Sequence, residues 1–381
     1  MPTVQVPSSI GVRRARADDD QACRALLAGV AMEAELSLSV RRAPRVDAMY
    51  ALHTRAWEQW VAVDEADVVE GMASVLVRDG YLGGAVVPVG YLGDLRLSRR
   101  AEGRQVIDRF YGPMLAGAVA RHGCASFLTT IISSNERARR ALTVQTGRAL
   151  RRGRPRYTLV REFDIRSLHL VLPRLPERSP HRVRNATAAD VPEVAALLDA
   201  DARRRPFGYP MPEWELRRRL AAWPGLRIED FHLAHDRHGV LLGVVAPWDA
   251  SPVKQTMVHA YRGRMRRVRI AHDVAARLLG RSRLPASGGA LRYQYLTHLA
   301  VRADDPTVLR ALLGSAFAAA RRAGHHFLSV PVPVGDPMSE AYRGYLGTDI
   351  RAGLYVVTVA GTPAPEGLLH GPMPGFEMAL V

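Results

Sequence analysis

The sequence predicts an α/β protein made of two copies of one domain. Three observations carry that prediction. At 381 residues the chain exceeds the usual 100 to 200 residues of a single domain. Strand-like and helix-like patterns run in one order through the first half and begin again in the second. Between them lies PRLPERSP, a Pro-punctuated polar stretch with the composition of an extended linker. The predicted organisation is residues 1–172, a linker at 173–180, and residues 181–381. With 48% hydrophobic, 24% charged and 7% aromatic residues, the composition is that of a soluble globular protein.

The first half opens with VRRAR, an extended run, followed by Ala17-Asp18-Asp19, whose carboxylates suit a helix start. A helix follows, then a second helical stretch predicted to reach about Trp57. WVAVDEADVVEGMASVLV and GGAVVPVGYLGDLRLS are apolar, β-branched segments parted by Gly and acidic turn residues, and predict strands. After the loop RRAEGR, Val106, Ile107, Phe110, Tyr111, Met114 and Leu115 recur at helical spacing and give one apolar face. CASFLTTII predicts a buried strand, SSNERARRALTVQ a helix with a Ser/Asn start, and RYTLVREFDI a final strand.

The second half repeats the order. VRNATAADVPEVAALLDA is again strand, cap and helix, and FHLAHDRHGVLLGVVA predicts a hairpin. Leu92, Leu95 and Leu97 match Leu296, Leu299 and Val301 at a constant offset of 204, which places His298 opposite Asp94. The apolar face that follows matches at an offset of 202 (Val106 to Val308), so the second copy's loop is two residues shorter. HHFLSVPV matches CASFLTTI. This is an internal duplication of whole domains, not a short-repeat array. The second copy also inserts HAYRGRMRRVRIAHDVAARLLG, basic and helical in pattern.

The formal net charge of +16 would attract nucleic acid, anionic lipid or polyanionic cofactors. Lys254, however, is the only lysine among 53 basic residues, a bias that looks like codon usage more than selection for phosphate binding. Lys254 has no glycines before it, which excludes a Walker A loop. Cys23 and Cys124 support neither a disulfide framework nor a zinc site. His232, His235 and His238 beside Asp236 alternate faces on an extended chain, so no metal is expected. No GxSxG elbow or HExxH helix supports a hydrolase. The N-terminus lacks a basic then apolar signal, and no apolar run approaches the ~20 residues of a bilayer span. A cytoplasmic protein without a membrane partner is expected.

From Tyr91 to Gly147, the order of strand, Gly- and Arg-containing loop, amphipathic helix, strand and Asn-led helix resembles the GNAT superfamily of acyl-CoA-dependent N-acyltransferases. The resemblance implies two tandem GNAT-like domains, each a mixed, mostly antiparallel twisted sheet flanked by helices. It implies that Arg100, Gly103, Arg104 and Gln105 form the loop that holds the CoA pyrophosphate at a helix N-terminus, where unpaired N–H groups favour anions. Gln105 stands where that family has Gly or Ala. The resemblance further implies that Leu95 and Leu97 pair through their backbone with pantetheine and that Asn135 contacts the CoA arm. The tyrosine that often acts as general acid after the Asn-led helix is missing from ALTVQT. In the second copy, Asp304 and Asp305 occupy the pyrophosphate position and would repel CoA, leaving that half a structural or acceptor-site role.

Acyl transfer requires a neutral amine, a group to take its proton and donors to polarise the thioester carbonyl. Asp94, on the strand that would flank the thioester, and His298, its match in the second copy with Tyr295 nearby, are the catalytic candidates. Glu70 and Glu102 are weaker ones. The function expected is transfer of an acyl group, acetyl first among them, from acyl-CoA to a primary amine of a small molecule, by direct attack. Two alternatives stay open. One is an aminoacyl-tRNA-dependent transferase, with tRNA or an acyl carrier protein received by the Arg-dense stretches. The other is a non-catalytic binding protein on the same fold.

Overall fold

The computed structural model describes residues 10–29, 35–54, 56–101, 106–143, 154–174, 179–359, 362–369 and 371–380. The first half contributes β1 (Gly11–Arg14), α1 (Asp20–Gly29), β2 (Leu36–Arg42), α2 (Asp47–His53), β3 (Ala56–Val63), β4 (Val69–Leu82), β5 (Ala85–Leu97), α3 (Val106–His122), β6 (Ser126–Ile132), α4 (Glu136–Thr143) and β7 (Arg156–His169). The second contributes β8 (Arg182–Asn185), α5 (Val191–Arg204), α6 (Glu213–Ala222), β9 (His232–His235), β10 (Leu241–Trp248), β11 (Lys254–Tyr261), α7 (Gly263–Leu278), β12 (Tyr293–Val301), α8 (Pro306–Arg322), β13 (Phe327–Pro333) and β14 (Gly347–Thr358). The stretch expected to be helical up to Trp57 is instead β2 and then α2, which ends at His53. LSLSVRR alternates with period two, and its long-range pairing with β11 outweighs local helix propensity.

The duplication extends to side chains. Asp19 accepts the Arg16 N–H at 2.6 Å and pairs with Arg13 at 2.7 Å. Asp190 accepts the Thr187 N–H at 2.7 Å and pairs with Arg184 at 2.6 Å. Each carboxylate thereby satisfies an orphan donor at the start of its helix. Asp64 and Asp236 close equivalent turns before β4 and β10 by accepting two backbone N–H groups each.

Twelve strands form one sheet in the order β1-β3-β4-β5-β6-β14-β7-β13-β12-β10-β9-β8. The last strand of each sequence half therefore lies in the other half's side of the sheet: β14 pairs with β6, and β7 with β13. At the centre, β7 and β14 pair antiparallel over most of their length. A separate ribbon, β2 with β11, ties the halves together a second time. Helix α3 packs Phe110, Tyr111, Met114 and Leu115 on a core that includes Phe127 of β6 and Val357 of β14. Helix α8 packs Leu309, Leu312 and Leu313 on Leu328 of β13 and Leu168 of β7. Each such fully buried side chain contributes roughly 1.5–3 kcal/mol. Both helix faces thus depend on a strand from the opposite half.

Two strand forks as candidate functional sites

Each half contains one parallel strand pair, and both pairs part. β5 and β6 pair at Val89, Gly90 and Tyr91 and then diverge, while β12 and β13 pair at Tyr293, Gln294 and Tyr295 and then diverge. Past each fork the strand edge makes no ladder with its parallel neighbour, leaving backbone donors and acceptors for a ligand. Just beyond each fork lies a β-bulge, seen as a register shift opposite Met72/Ser74 in the first half and Val244/Ala246 in the second. The bulged residues are Asp94, at φ +50°, and His298, at φ +48°. Non-glycine residues rarely adopt this left-handed backbone, and Asp and His tolerate it better than most. The two residues matched in sequence therefore occupy one backbone position in two copies.

Around Asp94 the first fork is crowded with charge. Tyr50 Oη donates to Asp94 Oδ2 at 2.8 Å and Arg42 Nη2 donates to Oδ1 at 3.3 Å. Burial pushes the Asp94 carboxyl up, but Arg42 and Arg96 outweigh it and hold it below its ordinary range. Ionised and bridged, Asp94 is a weak base that orients its partners. Arg42 is buried, and its Nε and Nη1 have no hydrogen-bond partner among the described residues. Across the ribbon, Arg42 sits in register with Lys254. Burial, with Arg42 adding to it, brings the Lys254 ammonium down to about 7. Its Nζ lies 5.1 Å from the Tyr295 ring centroid. The Tyr295 hydroxyl meets that of Tyr293 at 2.8 Å.

The second fork opens into a cavity of about 200 Å³. Its walls come from β12, β13, α5 and the segment Met373–Glu377 near the C-terminus. His298 lines it, with Nδ1 2.9 Å from Thr297 Oγ1 and a buried Nε2 that has no partner among the described residues. Burial, helped by Arg219, holds this imidazole well below 6.5, so it is neutral. Glu377 also lines the cavity, and burial pushes its carboxyl up to about 7. Beside the cavity, Asp305 fills the N-terminus of α8 by accepting the Thr307 N–H at 2.8 Å. Asp304 pairs with Arg204 at 2.8 Å. The donors that would hold an anion there are already engaged by the chain's own carboxylate.

Among solved structures, N-myristoyltransferase from Saccharomyces cerevisiae with bound myristoyl-CoA matches at a TM-score of 0.60 and 11% identity, over 96% of this chain and 85% of that one. A GCN5-related N-acetyltransferase from Sphaerobacter thermophilus matches at a TM-score of 0.54 and 14% identity, over 98% of this chain and 99% of that one. A GCN5-related glucosamine N-acetyltransferase region of a fungal β-N-acetylglucosaminidase matches at 0.60 and 13%, over 93% of this chain and 38% of that one. The chain has the GNAT fold. No family model and no curated protein matches its sequence.

Within this GNAT fold, the residues singled out from sequence are spread over both forks. Leu95 and Leu97 lie past the first fork, half-buried toward the α3 side. Asn135 sits at the same sheet edge and caps α4, its Oδ1 accepting the Ala138 N–H at 3.0 Å. Arg100 is exposed, 3.8 Å from buried Glu70. Glu102, Gly103, Arg104 and Gln105 lie outside the described residues. Asp94 and His298 face separate surroundings. His232 Nδ1 meets Ser315 Oγ at 2.9 Å, on the α8 side. Among the described residues, no group of three or more His, Cys, Asp or Glu is placed to hold a metal, and no helix is long and apolar enough to cross a membrane.

Sequence reasoning missed Arg42, Tyr50, Lys254 and Glu377. Two signals for them were present. Lys254 is a lysine in a chain that otherwise uses arginine, and Glu377 is the one charged residue in the apolar run GPMPGFEMALV.

Proposed function

We propose that this protein is an N-acyltransferase that moves an acyl group from acyl-CoA to a primary amine of a small molecule by direct attack. The donor lies in the β5/β6 fork, and acetyl-CoA is the first donor to assay. The reading is carried by the contrast in charge between two equivalent forks. The first is flanked by exposed Arg99 and Arg100 at the end of β5 and Arg137, Arg139 and Arg140 on α4. Because β5 and β6 are parallel, both of those ends meet at one sheet edge, where a pyrophosphate would sit. The second fork has Asp304 and Asp305 at the corresponding place. The fold it shares with acyl-CoA-binding proteins supports the reaction class.

In this reading the pantetheine arm takes the place of a missing strand along Leu92–Leu97. The neutral amine nitrogen attacks the thioester carbonyl carbon and sheds a proton to bulk water, the C–S bond breaks, and CoA leaves as a thiolate that takes up a proton. Tyr91 stands at the fork, its hydroxyl 3.0 Å from Thr130 Oγ1. Burial keeps its phenol protonated, which suits it to supply that proton. Asp94 holds Arg42 and Tyr50 in place and takes no proton itself.

Isothermal titration with acetyl-CoA, beside a Gly103→Glu variant, tests the donor site. One-to-one binding abolished by the substitution is expected, followed by CoA thiol release with a primary amine. Absence of heat with folded wild-type protein overturns the reading.

A further inference from the structure

The second half inserts β11 and α7 between β10 and β12, where the first half passes from β4 to β5 through Gly83 and Gly84. One face of α7 is anchored. His272 and Ala276 are buried, the His272 ring lies 6.2 Å from that of His326, and Arg269 stands over the Tyr261 ring at 4.8 Å. At about 100° per residue, Ile270, Val274 and Leu278 fall on the opposite face as an i, i+4 ridge. They are 57%, 56% and 80% exposed. The other helices of the described residues expose at most one large apolar side chain each, so this ridge is more than the scattered apolarity of an ordinary surface. Charge follows the same face. Arg266, Arg267 and Arg277 share it, Arg264 stands at its margin, and all four are exposed. Residues 262–283 hold eight arginines against one acid, Asp273, which is already engaged by Arg269 at 3.6 Å and by the Leu284 N–H at 2.9 Å. On α6, by contrast, Arg217, Arg218 and Arg219 each pair with Glu213 or Glu215. Helix α7 thus presents unneutralised guanidiniums and unburied apolar side chains together.

We infer that α7 docks the protein on the surface of an anionic phospholipid bilayer, lying in the plane of the interface. The ridge enters the boundary between headgroups and acyl chains, and the long guanidinium side chains reach the phosphates from both of its ends, Arg266 and Arg267 before it and Arg277 beside Leu278. A second copy of this chain does not suit the face, because two such faces would set arginine against arginine with no acid between them. Nucleic acid matches the charge but leaves the ridge facing phosphates, with no apolar surface to cover it. A bilayer meets both features at once and needs no matching groove. The sequence expectation of no membrane partner rested on the lack of a spanning run, and a helix that lies on the surface needs none. The inference is independent of the acyl-transfer reading.

Co-sedimentation of the full chain with vesicles tests the surface, using phosphatidylcholine alone and phosphatidylcholine mixed equally with phosphatidylglycerol. Binding to the anionic vesicles is expected to be at least tenfold tighter, and to weaken in ~1 M salt, where the Debye length is about 3 Å. The decisive variant combines Ile270→Gln, Val274→Gln and Leu278→Gln. It keeps every charge, removes only exposed apolar side chains and should unfold at the wild-type midpoint, yet lose at least tenfold in vesicle affinity. Arg266→Gln with Arg267→Gln should lose a similar factor. A second readout locates the contact. Cys23 and Cys124 are buried, so a nitrobenzoxadiazole label on Val274→Cys reports from the ridge, and its emission should move to shorter wavelength with anionic vesicles and stay in place with neutral ones. Equal affinity for the two vesicles, unchanged affinity in the triple variant, or vesicle binding without a shift at position 274 overturns the inference. So does a dimer in vesicle-free solution that the triple variant dissolves, or binding of acyl carrier protein, lost in that variant, by a chain that leaves vesicles alone: the first gives the face to a second copy and the other to an acidic protein.

Discussion

The two forks differ at one backbone position, and that difference separates a filled site from an open one. In the first half the bulge carries a carboxylate, Asp94, which Arg42 and Tyr50 saturate. In the second it carries a neutral imidazole, His298, packed against Trp223 and Phe231 beside a cavity, its Nε2 buried with no partner among the described residues. The duplicated backbone supplies a strained, open strand edge twice, and the side chain at the bulge decides what that edge receives. The helix after each fork repeats the lesson, with arginines around one end and a self-capping Asp305 at the other.

The largest effect expected from breaking this contrast is at Arg42. Arg42→Ala leaves the half-buried Asp94 carboxylate without its main counter-charge, and should cost about 3 kcal/mol, the low end of the ~3–5 kcal/mol range for such losses because Tyr50 and Arg96 remain. Urea unfolding midpoints measure it. The double change Arg42→Met with Asp94→Asn removes both charges and should recover at least ~1 kcal/mol of that loss. No recovery would mean that Asp94 is held by something other than Arg42.

Glu377 is expected to move stability the other way. Its carboxyl is raised from 4.5 to about 7 by burial, with Arg219, Lys254 and the His298 N–H opposing the shift. The folded protein therefore keeps a proton that the unfolded chain has lost, and wild-type stability falls as pH rises from about 4.5 through 7. Glu377→Gln removes that penalty, so the variant should gain up to about 3 kcal/mol over wild type at pH 8 and little at pH 4.5. Denaturation midpoints at the two pH values check it.

Much of this was legible in the sequence. The constant offset of 204 set Asp94 against His298, and both occupy the bulge; the drop to 202 located the shortened loop where Asp305 now caps α8. The exchange of β7 and β14 was not legible, because each strand carries the same apolar pattern whichever half it completes. The ribbon of β2 with β11, which brings Arg42 beside Lys254, is a pairing across more than two hundred residues, and periodicity holds no information about partners that distant. Glu377 was hidden for the same reason. Its significance comes from where the C-terminal segment threads, between Tyr91 and His298.

The bulges themselves offer a sharper test of equivalence. At φ near +50°, a β-branched residue meets its own backbone, whereas Asn adopts this conformation readily. Asp94→Val and His298→Val should each lose about 1–3 kcal/mol relative to Asp94→Asn and His298→Asn. If both pairs differ alike, the strain is a property of the duplicated backbone. If only one does, the copies have diverged in backbone as well as in chemistry.

The smallest effect lies at the start of α8. Asp305 satisfies the Thr307 N–H and also accepts from its hydroxyl at 2.8 Å, so Asp305→Ala should cost about 1 kcal/mol, as loss of an N-cap does. Asp304 makes an exposed pair with Arg204 and sits at φ +49°, so Asp304→Asn, which removes the charge and keeps a side chain suited to that backbone, should cost no more than a few tenths of that, since such pairs contribute little in water. Unfolding midpoints of the two variants separate the roles: a cap that closes the helix end against anions, and a neighbouring surface charge. If the two cost the same, Asp305 does not close that end, and only the repulsion between like charges is left to keep a phosphate from the second fork.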